Sequence, residues 1–112
     1  MNAEETIKQW QDDEASVRAR FGARGVATPQ QLMGLTGLEQ MQKLLSGDFP
    51  PPPISETMDF ALIRVEFGRA IFQGKPSGKL LNPLGTVHGG WYATLLDLAV
   101  GCAVHTAMPV GR

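Results

Sequence analysis

Apolar and polar positions follow one period before residue 50 and another after it. Ile7, Trp10, Val17 and Phe21 recur at helical spacing, with Asp12, Asp13 and Glu14 mostly on the opposite face. That pattern predicts an amphipathic helix over residues 3–21. Gly22, Gly25 and Pro29 interrupt it. A second helix is predicted from Thr36, because Thr36-x-x-Glu39 fits a capping box. Leu38, Met41, Leu44 and Leu45 form its apolar stripe, and Gly47 is its stop. Both helices read as packing elements without a catalytic role.

Pro50 to Pro53 are four consecutive prolines, which cannot be helix interior and favour an extended polyproline conformation. Beyond them, Phe60–Glu66 and Arg69–Gln73 read as two short strands of a hairpin around Phe67-Gly68. Gly74–Gly78 is a loop, and Leu80–Thr86 a further irregular stretch. From about Gly90 to Thr106 the sequence predicts a helix that is apolar on nearly all faces, and therefore buried in a core. A membrane span is the competing reading of such a segment. Asp97 near its middle, packing glycines at 90 and 101 and the lack of a basic flank all argue against lipid.

Composition narrows the classes further. The chain has 112 residues, room for one small domain, and is 43% apolar and 19% charged, as globular proteins are. Ten Lys/Arg against eleven Asp/Glu leave a net charge of −1, without the basic cluster that a nucleic-acid surface needs. Cys102 is the only cysteine, so no internal disulfide forms, and two histidines with one cysteine are too few for a structural zinc site. No metal is expected. No basic segment followed by an apolar run opens the chain, which predicts a reducing, cytoplasmic setting.

Candidate chemistry concentrates on the last helix. Asp97 is the only formally charged residue between Leu80 and Gly111. It shares a stripe with Gly90, Ala93, Gly101 and Val104, small side chains that let a backbone or a thin ligand approach. A carboxylate buried there costs several kcal/mol unless paired, hydrogen-bonded or protonated. The plainer reading is a structural acid satisfied by hydrogen bonds in the core. His88-Gly89-Gly90 stands at the helix start, where unpaired N–H groups and the dipole favour negative charge. Such an end can stabilise an oxyanion. His88 by itself reads as a helix cap, His105 as a residue at the helix C-terminus. Gly74–Leu80 resembles a phosphate loop, but lacks one residue between its glycines and has Leu80 where a hydroxyl is needed. Cys102 sits in an apolar stretch, where a thiol is inert.

Asn82-Pro83-Leu84-Gly85-Thr86-Val87-His88-Gly89-Gly90, followed by Thr94-Leu95-Leu96-Asp97, resembles the signature of hotdog-fold thioesterases of the PaaI (phenylacetic-acid-degradation) type. The resemblance covers about Met58 to Met108. It implies an α+β hotdog fold, a long central helix wrapped by a curved antiparallel sheet. It divides the chain into a helical N-terminal extension (1–48), a proline-rich linker (49–57) and the N-terminal part of a hotdog domain (58–112). It further implies an acyl-CoA thioesterase working as a homodimer or homotetramer, with no cofactor beyond the coenzyme A of its substrate. By position, the Gly89 N–H would polarise the thioester carbonyl and Asp97 would be general base or nucleophile toward substrate lying against the neighbouring subunit. Asn82 and His88 would position water or carbonyl, and Gly90 and Thr94 would line the substrate site. The family continues with three or more strands after the helix, so this chain is expected to be a fragment, or a truncated form that borrows strands. A second function stays open: a non-catalytic module for oligomerisation or acyl-group binding. No nucleic-acid or membrane partner is expected.

Overall fold

A computed structural model of the chain describes residues 2–111. Helix α1 spans Ala3–Arg18 and is capped by Asn2, whose side chain accepts from Glu5 N while Glu5 reaches back. It is three residues shorter than its periodicity predicts. A one-turn helix α2, Pro29–Leu32, follows a second capping box made by Thr28 and Gln31. The glycine and proline signals conceal it. Helix α3, Gly37–Ser46, starts and stops as expected, with Thr36 capping Glu39 and Gly47 in the left-handed region at φ 89°.

The proline run is only partly extended. Pro52 has φ −68° and ψ 151°, but Pro53 opens a short helix α4, Pro53–Met58. Proline suits that first position because its missing N–H would be unpaired there in any case. Strands β1, Phe60–Glu66, and β2, Arg69–Gly74, form the expected antiparallel hairpin, with Gly68 at φ 75° in its turn. A bulge at Ile63 interrupts the register between Leu62↔Phe72 and Arg64↔Ile71. The extra residue rephases β1, so that Leu62 and Val65 both face the core although they are an odd number of residues apart. A 3-10 turn at Gly78–Leu80 and an isolated bridge between Leu81 and Val87 lead to helix α5, Gly89–His105.

Met41, Leu62 and Val65 make the centre of the core, with Leu38, Leu44, Leu45, Ala70, Phe72 and Cys102 packed around it. Residues of the N-terminal stretch therefore share one core with the hairpin and α5. This α+β arrangement, an antiparallel pair of strands beside one long helix, is consistent with part of a hotdog fold.

Two expectations fail. First, α5 is not buried on all faces. Trp91 is its buried residue, while Leu96 and Val100 are 63% and 64% exposed, and Tyr92 and Val104 are exposed with them. The physical reason is the supply of covering elements. α5 rests on β2, with lesser contact to α3 and β1, and these cover one side only. Second, the apolar stripe of α1 is buried only at Val17, whereas Ile7 and Trp10 stay half-exposed. No helix among the described residues is long and apolar enough to cross a membrane.

Candidate active site

Asn82 builds the loop before α5. Its Oδ1 accepts from Leu84 N at 2.9 Å and Thr86 N at 3.2 Å, and its Nδ2 donates to Thr86 Oγ1 at 2.8 Å. Asparagine mimics a backbone turn in this way. Gly85, at φ 82°, completes the reversal, and Asn82 N donates to Thr86 O at 2.8 Å. Closing this loop brings His88 N onto Leu80 O at 2.8 Å and sets the direction in which α5 departs.

His88 caps α5 with its side chain: Nδ1 accepts from Gly90 N at 2.8 Å. An accepting Nδ1 carries no proton, so the neutral ring holds its proton on Nε2. This arrangement uses the Gly90 N–H and leaves that of Gly89, which makes no hydrogen bond among the described residues. The space where a Gly89 side chain would stand is open. An N–H at the first position of a 17-residue helix, unpaired among the described residues, is a group to which the helix dipole draws negative charge. Thr94 is less free, since its Oγ1 donates to Gly90 O at 2.7 Å within the helix.

Asp97 is exposed and makes no hydrogen bond or ion pair among the described residues. This overturns the expectation of a core acid: the small-residue stripe of Ala93, Asp97, Gly101 and Val104 points outward, and Leu95, Leu98, Ala99 and Cys102 take the covered side. Asp97 lies eight residues beyond Gly89, about 12 Å along the axis and about 80° around it. One carbonyl cannot meet the Gly89 N–H and the Asp97 carboxylate of the same helix. Behind α5, Leu98 and Cys102 line an apolar cavity of about 60 Å³, well below the ~300 Å³ at which small-molecule pockets begin. Burial, and then the Asp97 charge, push the Cys102 thiol above its ordinary value, so it is a poor nucleophile. His105 is a docking residue, with Nε2 2.6 Å from Gln40 Oε1 on α3.

A family profile described as Thioesterase superfamily matches residues 84–111. The match supports a hotdog-type thioesterase at superfamily level. It takes in His88, Gly89, Gly90, Thr94 and Asp97, whereas Asn82 lies just outside it. No curated protein and no solved structure matches the chain. The match suggests thioester hydrolysis at this coarse level.

Proposed function

We propose that the chain is an acyl-CoA thioesterase of the PaaI type, acting as a homo-oligomer in the cytoplasm. The observation that carries this reading is the Gly89 N–H at the start of α5, unpaired among the described residues, in a residue with open space where a side chain would stand. The thioester carbonyl oxygen sits on that N–H, and the helix end strengthens the bond as negative charge develops. A donor in this role is worth roughly 3–4 kcal/mol of barrier. Asp97 of a second copy supplies the carboxylate, because the spacing along α5 separates the two groups within one chain. Acting as base, it takes a proton from water while the water oxygen adds to the carbonyl carbon. The tetrahedral intermediate then collapses, the C–S bond breaks, and the sulfur takes back the proton that Asp97 accepted, so that coenzyme A leaves as a thiol. As nucleophile, the carboxylate would add instead, the C–S bond would break to release the coenzyme A thiolate, and water would hydrolyse the anhydride to the free acid and the Asp97 carboxylate.

His88 accepts from Gly90 N and caps the helix start beside the Gly89 donor, and Asn82 holds the loop and offers its second Nδ2 hydrogen to water or carbonyl. Gly90 and Thr94 line the approach. No cofactor is needed, since coenzyme A arrives with the substrate. Thiol release from a panel of aryl, short-chain and medium-chain acyl-CoA esters tests the proposal. Hydrolysis of at least one class above the no-enzyme rate is expected, and a rate at background for every ester would contradict it.

The exposed apolar residues of α5 favour a second reading, a non-catalytic module whose helix assembles with other chains. That reading predicts oligomers with no esterolysis, which the same assay separates.

A further inference from the structure

The hairpin has a second face, away from α5. On it the register sets Arg64 beside Ile71, Glu66 beside Arg69, and Ala61 beside Gln73. Helix α1 lies against β1 on this side, and at its Gln73 end Gln73 Nε2 donates to Trp10 O at 2.8 Å and Glu14 Oε1 at 3.0 Å. Between α1 and the remainder of this face runs a groove of about 480 Å³, lined by Trp10, Asp13, Arg64, Arg69, Ile71 and Gln73. Its size is that of a small-molecule site.

Two features of the groove have no structural use among the described residues. Trp10 is 56% exposed although it belongs to the apolar stripe of α1. Neither Arg64 nor Arg69 makes an ion pair or side-chain hydrogen bond among the described residues, even though Glu66 stands opposite Arg69. Arg20 borders an adjoining groove that shares Asp13 and Arg64, with its Nη1 donating to Leu45 O at 3.2 Å. Against these cations stand Asp13, whose Oδ1 already accepts from Gln9 Nε2 at 2.8 Å, and Glu66. Arg69 and Gln73 are four residues apart on one face, about 13 Å along the strand.

We infer that this groove binds a nucleoside diphosphate, with the base stacked on Trp10 and the phosphates held by Arg64 and Arg69. An indole face accepts any nucleobase, and the planar guanidinium fork matches phosphate oxygens. A groove with an indole on its α1 wall and two guanidiniums on its strand wall suits a ligand that is aromatic at one end and anionic at the other. Neither a free phosphate nor a nucleoside uses both ends. The site faces away from Asp97 and does not depend on the thioesterase reading.

ADP titration of the full chain, followed by tryptophan fluorescence, tests this, because Trp10 is exposed and Trp91 is buried. ADP is expected to quench the emission saturably, and Trp10→Phe is expected to abolish the quench. Calorimetry should show Arg64→Gln and Arg69→Gln each weakening ADP by about tenfold, as for lost hydrogen bonds to charged groups. Both are surface positions, so circular dichroism should stay as in the parent chain. Adenosine and pyrophosphate alone should each bind far more weakly than ADP. The inference is overturned if folded protein shows no saturable ADP binding at millimolar concentration. It is equally overturned if the double arginine variant binds ADP as well as the parent, or if pyrophosphate alone binds as tightly.

Discussion

The Thr106 hydroxyl accepts from Gly68 N at 2.6 Å and donates to Ala103 O at 2.6 Å, joining the end of α5 to the turn of the hairpin. Thr106 is 1% exposed, so water does not replace either bond. The pair fixes where α5 lies along β2, and with it where Asp97 stands relative to the sheet.

Thr106→Val keeps the shape and deletes the hydroxyl, leaving the Gly68 N–H without its partner. A loss of about 1–3 kcal/mol is expected, read as a lower urea midpoint at unchanged slope. No loss would mean that the turn finds another acceptor.

Gly37 packs against the same C-terminal end of α5, from the side of α3. Its N–H donates to Met108 O at 2.9 Å, and a Cβ at this position would collide with His105 O. Gly37→Ala therefore forces α3 away from the end of α5. Overpacking of this kind costs about 1–3 kcal/mol, and denaturant unfolding measures it.

The α3 capping box predicts an acid-sensitive contribution. Glu39 is held below its ordinary value of 4.5, first by its hydrogen bond with the Thr36 backbone and then by the Thr36 side chain. A depressed carboxylate stabilises the fold above that ordinary value, and the contribution disappears as pH falls through the lower folded value. Glu39→Gln should flatten this part of the pH–stability curve below pH 4.5. Thr36→Ala removes the cap itself and should cost about 1 kcal/mol near neutral pH.

Cys102 should react slowly. Its raised pKa lowers the thiolate fraction, and its half-buried position limits access. A disulfide reagent at pH 8 is expected to label it much more slowly than free cysteine, and at the free-cysteine rate in denaturant. Equal rates in both conditions would contradict the packing of α5 on the core.

Elements with strong local signals were legible in the residues alone. The Thr36 box, Gly47, the Phe67-Gly68 turn and the span of α5 all rest on interactions within a few residues. The bulge at Ile63, the helix started by Pro53 and the turn capped by Thr28 were missed, the last although Thr28-x-x-Gln31 has the same capping pattern. The bulge is a response to two-sided packing and leaves no mark in the alternation of β1. Burial of α5 was misjudged because hydropathy records what a helix can bury, not what is present to cover it. At the site, Gly89 and Asp97 stood out from the charge and glycine pattern, but their separation along one helix comes from geometry. The roles of the Asn82 and Thr94 side chains within their own loop and helix were equally invisible.

The central claim is that Asp97 carries the chemistry, and acyl-CoA turnover by the parent chain and by Asp97→Asn tests it most directly. Asp97 is exposed and makes no hydrogen bond or ion pair among the described residues, so the variant should keep the parent's fold and oligomeric state. A loss of roughly 10²–10⁴-fold in kcat is expected for a general base. Retention of more than about a third of the parent rate would contradict the assignment, since no such catalytic contribution would then be present.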